Sequence, residues 1–398
     1  MSSRVDALVI GGGLLGCATA WMIARDGGTV MLAERDQINQ HASGQNAGSL
    51  HYQLEYRMME HGIEAARKAA EAMPLHLDAA RLWSRLAEET GEAIDVRRTG
   101  GFMLAETTAQ ARLLEQKAEI ERAWGLDVQM LDGSEAREIA PYLSESIVAA
   151  AFCPLEGKAD TRTAAPALAR AAIRAGADIR SRCEVTSLRR DGSGWRATLA
   201  EGVAEHRTTR EVHAKAVVIA AGVWTTALGD MVDAVLPTIP LALTMTASVR
   251  TPSFIAHLVQ HAGTRLSLKQ VPDGNVLIGG GWAARLLRAA DGQPDFATRP
   301  EFMRESLAGN IDAAIAVVPQ LGRIPALRSW VGTTTVTPDQ LPLVGPVPGA
   351  PGVFVATGGS AFTLGPSFAE VLTDLVAGRL PATDLSSFRP QRYQEEHA

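Results

Sequence analysis

The hydrophobic and polar positions at the start of the chain follow a clear order. Residues 5–10 form a short apolar run, residues 11–16 are rich in glycine, and an alanine-rich stretch leads to a second apolar run that ends with Glu34 and Arg35. Short apolar runs bounded by glycine are typical of buried strands, whereas the longer stretch of small residues favours a helix. The pattern predicts a strand, a glycine turn, a helix and a second strand.

The same patterns recur along the rest of the chain. Apolar positions at helical spacing predict helices at residues 56–90, divided at Pro74, and at residues 108–124, 164–175, 300–318 and 365–377. Alternating or continuously apolar runs predict strands at residues 184–188, 214–222, 244–249, 264–271, 275–281 and 353–359. The middle of the chain is therefore rich in strands, and both ends combine strands with helices.

This order predicts an α/β fold with two domains. We expect a Rossmann-type dinucleotide-binding domain over residues 1–85, 150–228 and 325–398, because strand, glycine turn and helix recur there. A discontinuous α+β domain with a mainly antiparallel sheet is expected over residues 86–149 and 229–324. The second domain would bind the substrate or form an interface.

The composition of the chain argues against several classes of function. The chain has 398 residues, 46% of them hydrophobic, and a formal net charge of -6 without a block of lysine or arginine. We therefore expect neither a nucleic-acid partner nor a membrane partner. Cys17, Cys153 and Cys183 are too scattered for a disulfide framework or a metal cluster, so free thiols in the cytoplasm and no metal are expected. Residues 8–24 are apolar, but their glycines and short length argue against a membrane span.

The glycine turn has the spacing of a dinucleotide site. Gly11 permits a tight turn, Gly13 lets the backbone approach a pyrophosphate, and Gly16 lets the helix pack against the strand. The start of that helix, at Leu14 and Leu15, offers N–H groups and a positive dipole to phosphates. Glu34 and Arg35 end the second strand, where a carboxylate is expected to bind a ribose. The motif alone does not distinguish NAD from FAD.

Three further segments bring backbone and small side chains towards such a ligand. The strand at residues 214–222 ends in Ala220 and Gly222 shortly before Trp224, and the last strand ends at Gly358. The loop after the second strand is small and polar, which suits close contact with a phosphate and a planar ring. Its members are Ser43, Gly44, Asn46, Ala47, Gly48 and Ser49.

These motifs, in this order, resemble the FAD-dependent D-amino-acid oxidase superfamily, which includes glycine oxidase, sarcosine oxidase and amino-acid dehydrogenases. The resemblance covers nearly the whole chain. Monoamine-oxidase-like proteins fit less well because their arginine-bearing loop is absent after Glu34, and aromatic hydroxylases because their late Gly-Asp segment has no convincing counterpart. NAD dehydrogenases would not need the C-terminal third of the chain to return to the first domain. The motifs that carry the resemblance are Gly11-x-Gly13-x-x-Gly16, Ser43-Gly44-x-Asn46-Ala47-Gly48, the strand at Val185, Ala220-Ala221-Gly222-x-Trp224, Asp339-x-x-Pro342-x-x-Gly345 and Thr357-Gly358.

The resemblance implies a role for each of these positions. Glu34 would bind the adenosine ribose, Ser43 and Gly44 the phosphates, and Val185 the adenine. Residues Asn46 to Ser49 would contact the flavin ring, and Phe362, Thr363 and Leu364 would contact its edge. The family's chemistry is hydride transfer to the flavin N5 from a carbon next to nitrogen, which gives an imine that water hydrolyses.

Two departures from the family pattern limit what is implied about the substrate. Glycine-oxidase-like members carry an arginine that binds the substrate carboxylate, and Thr334 stands at that position here. Sarcosine-oxidase-like members carry a lysine over the flavin and a cysteine that links it; residues 275–281 have no lysine, and the last third of the chain has no cysteine. Noncovalent FAD and a dehydrogenase are therefore favoured. The candidates for substrate contact are His51, Tyr52, Lys269, Gln270, Trp282, Thr334 and Thr363.

The segments at residues 46–51, 267–270 and 279–282 look most like the FAD-bearing subunits of opine oxidases, hydroxyproline dehydrogenases and hydrogen cyanide synthase. This resemblance implies partner subunits with further redox centres. The leading hypothesis is an FAD-dependent dehydrogenase that oxidises the C–N bond of an amino acid or an opine-like secondary amine. The alternatives are a self-sufficient oxidase that releases hydrogen peroxide, and a flavin subunit that only relays electrons.

Overall fold

The computed structural model describes residues 3–203 and 206–394. Its strands, in chain order, are β1 (Ser3–Ile10), β2 (Val30–Ala33), β3 (Ser49–Leu50), β4 (Val96–Arg98), β5 (Gly101–Ala105), β6 (Gln129–Asp132), β7 (Ala149–Cys153), β8 (Gly157–Ala159), β9 (Asp178–Arg180), β10 (Cys183–Asp191), β11 (Gly194–Glu201), β12 (Thr208–Ile219), β13 (Ile239–Ser248), β14 (Leu258–His261), β15 (Ser267–Gln270), β16 (Val276–Gly279), β17 (Ala326–Val336), β18 (Leu343–Pro346) and β19 (Val353–Thr357). Its α-helices are α1 (Leu14–Arg25), α2 (Ala42–Gln45), α3 (Tyr56–Met59), α4 (Ile63–Ala69), α5 (Met73–Thr90), α6 (Thr108–Ala123), α7 (Gly133–Ile139), α8 (Ala164–Arg174), α9 (Thr225–Asp230), α10 (Arg304–Val317) and α11 (Gly365–Val376).

The first sheet has a parallel centre, in the order β9, β2, β1, β12 and β19. Strand β10 pairs antiparallel with β11, β11 pairs antiparallel with the first half of β12, and β18 pairs antiparallel with β19. Alternate residues of β1 face opposite sides, so Val9 packs among the helices and Leu8 packs on the other face. Both faces of this sheet are buried, which explains why its central strands are continuously apolar.

Helices α1, α8 and α11 cover one face of the first sheet, and α5 packs on α11. Pro74 lies in the first turn of α5, where its missing N–H costs no hydrogen bond, and Gly91 ends that helix in a left-handed conformation with φ 65°. The predicted division at Pro74 agrees with this start, and a further break at Gly62 separates α3 from α4. None of the helices in the described ranges combines the length and the apolar character needed to cross a membrane.

The second sheet has the order β17, β13, β16, β15, β14, β5, β7 and β6, and all its pairs are antiparallel except β14 with β5. This agrees with the mainly antiparallel sheet expected for the second domain. The sheet membership moves two boundaries, however, because β17 and β7 pair here although residues 325–398 and 150–228 were assigned to the first domain. Strand propensity alone does not reveal the pairing partner of β17 or of β7.

A small third sheet of β3, β8 and β4 joins the two larger ones. It begins directly after the polar loop at residues 42–48, so it fixes where that loop lies relative to the second sheet. The carboxyl ends of β1, β2 and β12 face the inner side of β13, β15 and β17. Ligands of parallel α/β sheets bind beyond the carboxyl ends of the strands, so we expect the functional site at this interface.

Candidate functional site

One large cavity lies between the first and second sheets. Its volume is about 910 Å³, at the upper end of the range for small-molecule sites. The glycine turn and the end of β2 line one end, which we call the dinucleotide end. His51, Ser267 and Thr334 line the other end, which we call the substrate end. The loop at residues 39–49 runs along the wall between them.

The three glycines of the turn have different structural roles. Gly11 has φ 112°, and a Cβ there would lie 2.4 Å from the Ala220 carbonyl oxygen. A Cβ at Gly16 would lie 1.9 Å from the Gly11 carbonyl oxygen, so Gly16 serves packing and does not line the cavity. A Cβ at Gly13 would lie 2.9 Å from Ser43 Oγ, and would fill the gap between the turn and the polar loop. The open gap fits a pyrophosphate.

The start of α1 supplies the positive end of a helix dipole to this gap. Gly13 is the N-cap and brings no side chain, and Leu15 lines the cavity. The Leu14 N–H donates to Ser43 Oγ over 3.0 Å, while the Leu14 side chain is buried outside the cavity wall. Backbone N–H groups in the first turn of a helix attract anions, so the turn can hold phosphate groups.

Glu34 is fixed at the edge of the cavity by two backbone groups. The Gly12 N–H donates to its Oε2 over 2.6 Å, and the Asp36 N–H donates to its Oε1 over 2.7 Å. The side chain is buried but lines the cavity, so its remaining lone pairs can accept hydroxyl hydrogen bonds. Its location matches that expected of a ribose-binding carboxylate.

An aromatic and apolar wall continues from Glu34. Val185, Ala220 and Gly222 line the cavity there, and the Arg35 guanidinium lies 4.8 Å from the centre of the Trp224 ring. This wall suits a planar heterocycle.

His41, beside Trp224, is the third member of a cluster with Glu34 and Asp36, whose donor atoms lie within 4.8 Å of one another. The contact of 2.8 Å between His41 Nε2 and Asp36 explains that cluster without a metal.

Within the polar loop, the side chains mostly hold the loop itself. Asn46 Nδ2 donates to the Ala42 and Ser43 carbonyl oxygens, and Asn46 Oδ1 accepts from the Gly48 N–H over 2.6 Å. Gly44 lies outside the cavity wall, and a Cβ there would lie 2.1 Å from the Asn39 carbonyl oxygen. Asn46, Ala47, Gly48 and Ser49 line the cavity with Ser43. The expectation that Gly44 contacts phosphate is therefore replaced by a packing role.

The C-terminal turn completes the wall. Gly358 has φ 126°, and Phe362 and Thr363 line the cavity with it. Thr363 Oγ1 donates to the Ser49 carbonyl oxygen over 3.3 Å, so this turn is tied to the polar loop. Leu364 does not line the cavity: its side chain is buried and its N–H already donates to the Ser360 carbonyl oxygen.

Not all the substrate candidates reach the cavity. Thr334 and His51 line it, whereas Tyr52 and Trp282 do not. Gln270 lies behind the wall, and its amide holds a loop: Oε1 accepts from the N–H groups of residues 254 and 255, and Nε2 donates to the carbonyl oxygens of residues 251, 252 and 274. A role in contacting substrate does not fit Gln270, because the loop uses both ends of its amide.

Lys269 is buried behind Gly48 and does not line the cavity. Burial, and to a smaller extent the charge of Lys158, hold its pKa well below the ordinary lysine value. Sequence periodicity placed Lys269 on a strand but did not show which face of the strand would meet the cavity.

His51 is held from both sides of its ring. Its Nε2 lies 2.9 Å from Ser267 Oγ, and its Nδ1 lies 3.0 Å from the Gln260 side-chain amide. Glu156, whose side chain is fully buried, places Oε1 3.7 Å from Nδ1. Gln260 and Ser267 also line the cavity. Reasoning from the sequence missed Gln260 and Glu156, since they come from β14 and from the turn before β8.

Two arginines at the substrate end were also missed. Arg57 donates to Gln340 Oε1 over 2.8 Å, to Ser360 Oγ over 2.9 Å and to Glu55 Oε1 over 3.2 Å. Burial alone would raise the pKa of Glu55, but Arg57, His51 and Ser360 outweigh it and lower that pKa to about 2. The short spacing Glu55-x-Arg57, directly after the polar loop, was the available signal.

Arg265 lines the cavity near its opening. It donates to the Gly281 carbonyl oxygen over 3.0 Å and to Glu60 over 3.1 Å. Both arginines at this end therefore already have a carboxylate partner. An anionic substrate would have to share or replace those partners.

The comparisons with known proteins agree over nearly the whole chain. The sequence matches the family described as FAD dependent oxidoreductase (DAO) over residues 6–375. It is 30% identical to glycine oxidase of Geobacillus kaustophilus, over 99% of this chain and 98% of that protein. It is 24% identical to one of the subunits of the opine oxidase of Rhizobium meliloti, over 99% of each chain.

Human mitochondrial dimethylglycine dehydrogenase is 26% identical over 98% of this chain, and the match spans only 44% of that protein. Among solved structures, G. kaustophilus glycine oxidase has a TM-score of 0.82 at 28% identity and covers 98% of this chain, with 99% of that chain covered. L-proline dehydrogenase from P. horikoshii has a TM-score of 0.84 at 21% identity, over 100% of this chain and 99% of that one, and shows likeness of fold.

Proposed function

Since the chain belongs to the DAO family of FAD-dependent oxidoreductases, we propose that it is a dehydrogenase that oxidises the C–N bond of an amino acid or an opine-like secondary amine. We further propose that it works as the FAD-bearing subunit of a hetero-oligomeric complex. The observation that carries the proposal is the continuous cavity, which joins the dinucleotide end to His51 and Thr334.

Bound FAD supplies the hydride acceptor for this chemistry. In our proposal the first turn of α1 and Ser43 hold its pyrophosphate, and Glu34 binds its ribose. The wall at Val185 and Trp224 takes the adenine, and residues 46–49 with Phe362 and Thr363 surround the flavin ring. Two of the three cysteines lie outside the cavity wall, and Cys183 lies at the dinucleotide end, which supports noncovalent attachment.

The residues at the substrate end of the cavity favour a substrate other than glycine. Thr334 lines the cavity at the position where the resemblance to glycine oxidase implies an arginine. A neutral hydroxyl therefore stands in place of the guanidinium that would bind the substrate carboxylate. Arg57 and Arg265 offer positive charge on the same part of the wall, but each is paired with a carboxylate. This arrangement suits an amine with more than one polar substituent, as in an opine.

Two observations support a dehydrogenase within a complex. In the described residues no lysine lines the cavity, whereas the resemblance to sarcosine oxidase implies one that assists the reaction with oxygen. A relative that matches over nearly its full length is named as a subunit of an opine oxidase. The full-length match to glycine oxidase favours the second candidate, a self-sufficient oxidase that releases hydrogen peroxide.

The electron acceptor separates these candidates. We would load the purified chain with FAD and supply D- and L-amino acids, N-methylglycine, proline derivatives and opines, with oxygen or an artificial dye as acceptor. We expect dye reduction without peroxide for one class of amine. Rapid peroxide release by the chain alone would contradict the dehydrogenase and favour the oxidase. Turnover of no amine, even with partner subunits present, would favour an electron-relay role.

A further inference from the structure

A chain of buried charged groups lies directly behind the substrate end of the cavity. His51 lines the cavity, residues 52–54 follow it behind the wall, and the side chains of Lys117, Glu121 and Glu156 that contact this segment are fully buried. Burying an ionised group away from water is costly unless a partner compensates it. The partners of these three groups therefore show where a charge remains uncompensated.

Lys117 and Glu121 compensate each other. Lys117 Nζ donates to Glu121 Oε2 over 2.8 Å and to Gln53 Oε1 over 2.9 Å. Glu121 Oε1 accepts from the Leu54 N–H over 2.6 Å. This pair carries no net charge, and its hydrogen bonds hold the wall from behind.

Glu156 has no such cation. Its Oε1 accepts from the N–H groups of Tyr52 and Gln53, each over 3.0 Å. Its Oε2 has no hydrogen-bond partner in the described residues and lies against Gly101, where a Cβ would be only 1.9 Å away. In the described ranges, His51 is the one basic side chain within 4 Å of this carboxylate.

The other titratable groups around His51 do not change this balance. Glu55 is paired with Arg57 and accepts from Ser360 Oγ over 2.5 Å. Burial lowers the pKa of His76 to about 4, so its ring is neutral near pH 7. Gln260 and Ser267, which touch the two ring nitrogens, carry no charge. Glu156 is therefore the one carboxyl group in the described residues with an oxygen within 4 Å of a His51 ring nitrogen.

We propose that Glu156 is a positioning residue that prepares His51 to accept a proton from the nitrogen of the substrate. This inference rests on the proposed function and adds a catalytic role for His51 at the same site. In the step, an N–H bond of the protonated amine breaks and the proton moves to His51 Nε2 by way of the Ser267 hydroxyl. The lone pair that this leaves on nitrogen can form the C=N bond when a hydride leaves the neighbouring carbon, and FAD, when bound, would supply the hydride acceptor.

The contacts of the His51 ring set what this step requires. Ser267 Oγ lies 2.9 Å from Nε2 and lines the cavity with His51, so a proton can pass across it. The neutral ring must then carry its hydrogen on Nδ1, facing Glu156. Gln260 Nε2 lies 3.0 Å from Nδ1, so this tautomer requires the Gln260 amide to turn and present its oxygen instead. Once Nε2 is protonated, the imidazolium and Glu156 form an ion pair that is shielded from water.

The pH profile of kcat/KM for anaerobic flavin reduction tests this role. If His51 must be neutral to accept the proton, kcat/KM rises with pH as His51 loses its proton. Glu156→Gln keeps an oxygen for the Tyr52 and Gln53 N–H groups but removes the charge that favours imidazolium. We expect the acidic limb of the kcat/KM profile to move to lower pH by about one unit in this variant. The plateau value of kcat/KM should fall, and the FAD content should not change.

His51→Asn should remove the acidic limb. The kcat/KM of this variant should instead rise about tenfold per pH unit up to the pKa of the amine in solution. Only substrate molecules whose amine is already neutral when they bind can react in this variant. The matched control is Glu121→Gln, which alters an equally buried carboxylate on the same wall that does not contact His51. This control should lower stability and leave the acidic limb in place.

A second readout does not depend on turnover. The ring nitrogens of His51, assigned by their loss in His51→Asn, can be followed by 15N NMR in FAD-loaded protein without substrate. We expect the imidazolium to lose its proton at lower pH in Glu156→Gln than in the original chain. An unchanged titration, or an unchanged acidic limb in Glu156→Gln, would overturn the proposal. If no amine reduces the FAD, the proposed function and the proton-transfer role both fail, while the NMR shift still decides whether Glu156 acts on His51.

Discussion

The two ends of the cavity are built in different ways. At the dinucleotide end the glycine turn, the first turn of α1 and Glu34 belong to one strand, turn, helix and strand unit. At the substrate end the groups are side chains, and His51, Ser267 and Thr334 come from three distant segments of the chain. Backbone recognition needs only local geometry. Side-chain recognition depends on how the second and third sheets are assembled.

The two ends also differ in charge. The dinucleotide end is ready for an anion, because a helix N-terminus and an open glycine turn face it. The substrate end contains ion pairs, and the buried side chain of Glu156 behind it has no lysine or arginine within ion-pair distance in the described residues. Changes at the first end should therefore affect cofactor retention, whereas changes at the second should affect stability, pH dependence and turnover.

The largest effect is expected from Gly13→Glu. The new side chain would begin 2.9 Å from Ser43 Oγ and place bulk and negative charge in the gap where we propose the pyrophosphate binds. We expect the folded variant to lose FAD, measured from the absorbance ratio of flavin to protein. Gly322→Glu, at an exposed position where a Cβ would meet only the Ile315 side chain at 3.6 Å, is the control and should retain FAD. Normal FAD content in Gly13→Glu would refute this location.

Lys117→Met should produce the largest loss of stability at the substrate end. It leaves Glu121 buried with only the Leu54 N–H as a partner, and breaking a buried ion pair in this way costs about 3–5 kcal/mol. Burial already raises the pKa of Glu121, although Lys117 acts in the opposite direction.

Urea denaturation of the FAD-loaded protein measures the effect of Lys117→Met. The control is Lys68→Met, which removes an exposed pair with Glu71 and should change the free energy of unfolding by about 0.5 kcal/mol or less. Equal losses in the two variants would contradict the buried pair.

His76 should make stability depend on pH. Burial lowers its pKa to about 4 from an ordinary value of 6.5, although Glu55 and the His51 backbone oppose this shift. Between these two values the unfolded chain binds a proton that the folded chain does not. Stability should therefore fall by about 3 kcal/mol as pH drops from 6.5 to 4, and His76 should contribute no slope above that range.

His76→Gln tests this dependence, because it should flatten the stability curve between pH 6.5 and pH 4. His61→Gln, which alters a largely exposed histidine near the cavity opening, should leave the slope as it is. The measurement is denaturation at closely spaced pH values. A slope that survives in His76→Gln would assign the effect to other groups.

The smallest effect is expected from Thr334→Ala. Loss of one neutral hydrogen bond to substrate corresponds to about 0.5–1.5 kcal/mol, or roughly a two- to tenfold fall in kcat/KM. FAD content should not change, because Thr334 belongs to the substrate end. Thr186→Ala, on an exposed position of β10, is the control. A fall in FAD content in Thr334→Ala would show that the two ends are not separate.

The sequence predicted the dinucleotide end well because its signals are local. The helix expected at residues 108–124 is observed at Thr108–Ala123, and the last helix begins at Gly365 as expected. The glycine turn and Glu34 line the same cavity. Glycine spacing did not separate Gly13, which faces the gap, from Gly16 and Gly44, whose small size serves packing.

The substrate end was less predictable because its residues meet only through sheet pairing. The sequence placed Lys269 and Gln270 beside the substrate, but neither lines the cavity. It gave no reason to connect His51 with Gln260 or Glu156, which are more than a hundred positions away. The assignment of β17 to the first domain failed for the same reason, since its partner β13 is distant in the chain.

The most direct test of the account is anaerobic mixing of the FAD-loaded protein with the panel of amines, followed by the visible absorption of oxidised flavin. The account predicts that one class of amine bleaches this band in the original chain. His51→Asn should keep its FAD and bleach slowly near neutral pH, and faster as the pH rises. An absence of bleaching by every amine, with FAD bound and partner subunits present, would contradict the claim that one cavity brings FAD and an amine together.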